Sequence, residues 1–135
     1  MKKVEQQVAE HNADIRPASE QDIAAAEQAL QITFSPEYKA YLSHFGLISH
    51  GATEIYGLGV STTSHLNILT AIVPLRAGKE YPHHAVPLSD IGDGYYYLYD
   101  NQRRKIITWS MIRGVIENSD ESLETFLLKT VFNTK

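Results

Sequence analysis

Apolar residues recur at helical spacing through the first third of the chain and at strand spacing through the last third. Val4 and Val8 stand four apart among Glu5, Gln6, Gln7, Ala9 and Glu10, residue types and a spacing that favour a helix. The apolar stripe is thin, so residues 1–18 are expected to form a loosely held helical flank ahead of a main body at 19–135, within one domain. The next helix is better marked. Pro17 precedes it, Ser19 is placed to cap it, and Asp22 follows three residues later, a relative of the capping box. Ile23, Ala26 and Leu30 then share a face. A third helix opens at Ser35-Pro36, where proline's missing N–H costs nothing. Its stripe is Tyr38, Tyr41, Leu42 and Phe45, and Gly46 is placed to end it in a left-handed conformation.

Past Gly46 the pattern changes. Glu54–Val60 reads as a strand bent at its glycines. Leu66, Ile68, Leu69, Ile72 and Val73 fit neither period cleanly and are read as a short helix that stops before Pro74. His83–Val86, between Pro82 and Pro87, is a loop or short edge strand. Asp93-Gly94 marks a turn into Tyr95–Asp100, and Lys105–Trp109 returns after a polar loop, which predicts a hairpin. Period two puts Tyr95, Tyr97 and Tyr99 on one face and Tyr96, Leu98 and Asp100 on the other. A last helix begins at Ser119, or at Ser122, and carries Leu123, Phe126, Leu127, Thr130 and Val131 inward. Helices, then strands, then a helix predict an α+β fold: an antiparallel sheet with N-terminal helices and a C-terminal helix packed mainly on one face.

The 135 residues suit one domain. No apolar run approaches the roughly 20 residues of a bilayer-spanning helix, and the two lysines at the start have no apolar stretch behind them, so neither a membrane segment nor a signal peptide is expected. The chain has no cysteine, which excludes disulfides and cysteine-based zinc sites. A cytoplasmic protein is the simplest reading. The formal net charge is -4, the opposite of the basic balance that nucleic-acid affinity needs. Between Glu10 and Glu37 six acids face one arginine, and Glu117 to Glu124 holds four acids and no base. Arg103, Arg104 and Lys105, with Arg113 further on, are the basic exception, read as a solvated turn. The acidic runs are read as wet helix faces that would also suit a basic partner.

Motifs for chemistry are lacking. The six histidines form no H-E-x-x-H or His-x-His pattern. Asp90, Asp93 and Asp100 lack calcium-loop spacing, and Asp90 is instead expected to accept a local backbone hydrogen bond in a glycine turn. Gly57-x-Gly59 is not a phosphate loop, and no serine sits in a nucleophile elbow. Catalysis, a metal and a cofactor are therefore not expected. What remains is surface chemistry: if helices cover one sheet face, the other must carry rings in water or against a partner, as aromatic residues do at protein interfaces. The candidate contacts are Tyr56, Tyr95, Tyr97 and Trp109 at the centre, with Asp90 and Asp93 steering from the rim.

Residues 19 to 128 resemble the SMI1/KNR4 family of the SUKH superfamily. The resemblance rests on Ile23 and Glu27 in one helix, Phe34-Ser35-Pro36 opening the next, and Tyr38, Tyr41, Leu42 and Gly46 after it. It continues through Ile55–Gly59, Tyr97–Asp100, Ile106–Trp109 and Phe126-Leu127. The resemblance implies a protein-binding module without catalysis. Bacterial members of the family are similar to immunity proteins that neutralise toxin domains, often nucleases, by stoichiometric binding. Fungal relatives look like regulatory proteins of cell-wall synthesis signalling. The expected partner is thus a protein, such as a basic nuclease toxin domain, with no nucleic acid or membrane. The chain itself is expected to be a monomer or weak homodimer. An endogenous regulatory partner is the alternative, and a small hydrolase ranks third.

Overall fold

A computed structural model describes residues 1–134; Lys135, the last residue of the expected main body, lies outside them. The helices form where capping and periodicity place them. α1 (Lys2–His11) buries Val4 completely, and ends at a left-handed Asn12. It packs beside the C-terminal helix. Val8, the second position of the thin stripe, and Met1 also pack against the main core. α2 (Glu20–Leu30) starts at Ser19, whose Oγ accepts from Asp22 N–H at 3.1 Å, and buries Ile23, Ala26 and Leu30. α3 (Pro36–His44) starts at Ser35, whose Oγ accepts from Tyr38 N–H at 3.1 Å. Tyr38, Tyr41, Leu42 and Phe45 are all buried.

Between these helices and the rest lie two antiparallel sheets. β1 (Asp14–Ile15), β2 (Ile48–His50) and β3 (Thr53–Ile55) make the smaller one. β4 (Ala85–Gly92), β5 (Tyr95–Asp100), β6 (Lys105–Ser110) and β7 (Gly114–Asn118) make a four-stranded meander in chain order. α4 (Ile68–Leu75) bridges the two, and α5 (Leu123–Thr130) closes the chain. β3 covers only the first part of the expected Glu54–Val60 strand, since the glycines at 57 and 59 bend the backbone away. β4 is much longer than the loop or edge segment expected around His83–Val86, and Pro87 is accommodated within it next to an irregularity in register. β7 has no clear period in the sequence and forms by pairing with β6. α4 runs through Pro74, capped at its start by the Asn67 side chain, which accepts from Leu69 N–H at 2.8 Å. Ser122, and not Ser119, caps α5.

The main core lies between α2, α3, α5 and the sheet face carrying Val86, Leu88, Tyr99 and Ile106. The Tyr99 hydroxyl lies 2.7 Å from Ser35 Oγ and donates to the Glu37 carboxylate at 3.1 Å. Glu27 accepts from Phe34 N–H at 2.8 Å, so the glutamate of α2 fixes the entry to α3. The opposite sheet face is covered too. Leu75, Ala85, Leu98, Ile107 and Trp109 form a second, smaller cluster under the end of α4 and the segment after it.

Three segments meet at glycines. Gly46 has φ +71, and a Cβ there would lie 1.6 Å from the Arg16 carbonyl oxygen. A Cβ on Gly59 would lie 1.7 Å from the same oxygen, and one on Gly57 would lie 1.6 Å from the Gly46 carbonyl oxygen. Arg16 N–H donates to Phe45 O at 2.7 Å, and Leu58 N–H donates to Gly46 O at 2.9 Å.

Gly57 carries no unusual φ, whereas Gly51 has φ +60 and nothing within 4 Å of a built Cβ. Gly57→Ala should therefore cost about 3 kcal/mol or more through collision, and Gly51→Ala only about 1 kcal/mol through backbone conformation. Equal losses in urea denaturation of the two variants would contradict this. The Tyr38 hydroxyl is fully buried and has no hydrogen-bond partner among the described residues. Removing an unpaired buried hydroxyl relieves its desolvation cost, so Tyr38→Phe should leave stability unchanged or raise it by about 1 kcal/mol. A clear fall in the denaturation midpoint would show that the hydroxyl is satisfied.

Candidate functional site

The ladder decides which rings meet water. In the β4–β5 hairpin Asp93 (φ 56) and Gly94 (φ 80) take the two left-handed turn positions of a tight hairpin. Pairing then sets Asp90 opposite Tyr96 and Ser89 opposite Tyr97. Asp90 Oδ1 accepts from Gly92 N–H at 2.7 Å, the local bond the sequence predicts. Asp90, Ile91 and Asp93 are exposed, and Ile91 keeps 45% of its surface in water.

Tyr56 joins this surface from the other sheet. It follows β3, its N–H donates to Leu88 O at 2.8 Å, and its own carbonyl accepts from the Tyr41 hydroxyl at 3.0 Å. The ring is half-buried. Burial pushes the Tyr56 hydroxyl up to about 12, with further contributions from the Asp90 carboxylate, Tyr96 and Glu54. Burial also raises Tyr96, with the Asp90 carboxylate adding to it. Tyr56, Asp90, Tyr96 and Glu54 are thus electrostatic neighbours. Glu54 also contacts His65, whose Nε2 lies 3.4 Å from its carboxylate.

The other candidates separate from this group. Tyr97 is half-buried and stacks edge-on against Phe126 at 5.1 Å. Tyr95 lies on the same side as Tyr97 by alternation, and its hydroxyl accepts from Arg113 Nη1 at 3.1 Å. Trp109 requires a correction. Expected as an exposed contact, it is 0% exposed. Its ring packs edge-on with Tyr81 at 5.1 Å, and its Nε1 donates to Lys79 O at 2.9 Å. The premise of an uncovered sheet side fails for the same reason. Gly78 runs so close over the indole that a Cβ there would lie 2.5 Å from Cη2. Wet rings occur instead towards the hairpin end of the sheet, where this cover stops.

Sequence reasoning missed Tyr96 and Glu54. The signal for Tyr96 was the register between Asp90 and Tyr96, visible only once residues 85–92 are read as a strand. The surface offers tyrosine faces and carboxylates at short range, chemistry suited to lysine or arginine side chains of a partner through cation–π contacts and charge-assisted hydrogen bonds. Among the described residues no group of three or more His, Asp or Glu side chains is placed to hold a metal ion, and no helix is long and apolar enough to cross a membrane.

Residues 1–133 match a family model described as SUKH_5: SMI1-KNR4 cell-wall. A crystal structure of a protein from Pseudomonas syringae pv. tomato is similar in fold, with a TM-score of 0.81 and 19% sequence identity. The match covers 99% of this chain and 100% of that one. No curated protein matches the chain.

A tyrosine whose folded-state hydroxyl ionises late makes folding lose stability as alkali forces that ionisation. The Tyr56 contribution is complete below its ordinary value of 10.0 and is lost as pH rises through about 12. Asp90→Asn removes one of the charges that hold the hydroxyl up, so the alkaline titration of Tyr56 and Tyr96, followed by their ring resonances, should move to lower pH. An unmoved titration would separate Asp90 from the two rings.

Proposed function

The chain belongs to the SMI1/KNR4 family of the SUKH superfamily, whose members are generally non-catalytic adaptor or immunity proteins, and from that premise we propose that it neutralises a toxin domain by stoichiometric binding. The observation that carries this reading is the association of Tyr56, Asp90 and Tyr96 on one surface, with Glu54 beside them and the Asp93 turn at its rim. A basic partner, such as a nuclease domain, would meet carboxylates first, which speeds encounter and sets orientation. The half-buried rings would then lose the rest of their water at the centre of the contact. Tyr95 and Tyr97 stand on the other side of β5 and would contribute only if the partner wraps the hairpin. Trp109 takes no part, being enclosed by its own chain.

The family description includes the words "cell-wall", which favours a second reading, a regulatory protein acting on an endogenous partner. A toxin gene directly beside this one supports the first reading and an isolated locus supports the second.

The experiment is titration calorimetry of the purified chain against the toxin domain encoded beside it. One-to-one binding is expected, weakened about tenfold to a hundredfold by Asp90→Lys and by Tyr96→Ala, with the Asp90→Lys loss shrinking at high salt. Trp109→Phe should leave the affinity unchanged. Full affinity in both surface variants would remove this surface from the interface.

A further inference from the structure

β7 is the outermost strand of the four-stranded sheet, and among the described residues no strand lies along its outer edge. The opposite edge differs, because β4 receives the N–H of Tyr56 at Leu88 O. An open strand edge offers backbone donors and acceptors to another strand. Of the five large apolar side chains exposed among the described residues, three belong to β7 or to the turn leading into it: Ile112 at 82%, Val115 at 43% and Ile116 at 44%.

Charges flank Val115 on both sides, Arg113 at the end of the turn before β7 and Glu117 within the strand. Arg113 and Glu117 stand two residues to either side of Val115, and both are exposed. Glu117 has no ion-pair partner among the described residues. Arg113 reaches the Tyr95 hydroxyl through Nη1, which draws it to the sheet face that carries Tyr95 and Tyr97. Glu117 pairs with Thr108, and Thr108 with Tyr97, so the carboxylate belongs to that face too. An antiparallel strand pair related by a two-fold axis at Val115 would set each Arg113 across from Glu117 of the other copy. An axis at Ile116 would instead set Glu117 across from Val115 and lose both charge pairs.

We propose that β7 pairs antiparallel with β7 of a second copy of this chain, in the register that sets Val115 against Val115 and Arg113 against Glu117 on both sides. The contact is isologous and closes as a dimer with an eight-stranded sheet. It is a weak dimer by construction. β7 has five residues, and a register shift against β6 leaves Ile116 without a partner there. Such a bulge twists an edge and limits how many ladder bonds it can make. The Tyr56–Asp90 surface sits at the far edge of the sheet, so the dimer would present it twice.

The test is sedimentation equilibrium of the full chain from micromolar to millimolar concentration. A reversible monomer–dimer equilibrium is expected. Glu117→Arg sets arginine against arginine at two places, and Arg113→Glu sets glutamate against glutamate. Each single reversal should weaken the dimer about tenfold or more, and the double exchange R113E/E117R should restore it. Val115→Lys, which puts two ammonium groups on the axis, should abolish it without altering the circular dichroism of the fold. A chain that stays monomeric at millimolar concentration overturns the proposal. So does a dimer indifferent to both single reversals, or one that the double exchange fails to restore.

Discussion

The carbonyl oxygen of Arg16 is held between two glycines, and a third glycine rests on the carbonyl of the first. No side chain fits between these backbones, so the end of α3, the chain leading into α2 and the segment after β3 must cross at one place and one distance. The consequences run outward from there. α3 leaves the crossing with its stripe of Tyr38, Tyr41 and Leu42 turned into the core. The Gly57–Gly59 segment then carries hydrogen bonds to Leu66 and Ile68, which fixes where α4 begins. Tyr56, one residue before the crossing, is set against β4 by its bond to Leu88 O. The position of a half-buried ring on the candidate surface is thus a product of glycines that lie outside that surface.

How the two faces of the larger sheet are shared explains why the surface is small. α3 and α5 cover one face, while the end of α4 and the segment through Tyr81 cover the other. Eight tyrosines and one tryptophan are many large rings for 135 residues, but four of the nine are core. Tyr38, Tyr41, Tyr99 and Trp109 are fully buried. Apart from Tyr81, which lies against Trp109, the rings left in part to water lie towards the hairpin end, beside carboxylates that turn geometry and the ladder bring there. A partner would meet a firm surface, because Asp90 is tied to Gly92 and Tyr56 to β4.

Elements with local causes were legible in the sequence. Ser19 and Ser35 cap the helices they were expected to cap, Gly46 takes its left-handed turn, and Asp93-Gly94 closes its hairpin. The strands β5 and β6 follow their alternation. Elements whose cause is distant were not legible. β4 contains a proline and ends in a glycine, and becomes a strand only because β5 pairs with it. β7 is defined by β6 in the same way. The burial of Trp109 follows from Gly78, thirty-odd residues away in sequence, which period-two reasoning does not reach. The candidate surface inherits this division: Asp90, Asp93 and Tyr56 were visible as residue types, whereas the neighbourhood of Asp90 and Tyr96 needed the register.

Trp109 is the chain's single tryptophan, and its indole is enclosed by Gly78, Tyr81 and the Lys79 carbonyl. Its emission therefore comes from one known location and reports on one packing layer. Water reaching the indole would redden that emission when the cover after α4 lifts, even while the helices on the far side of the sheet stay in place. The protein so carries a built-in optical gauge that distinguishes loosening of one layer from collapse of the whole.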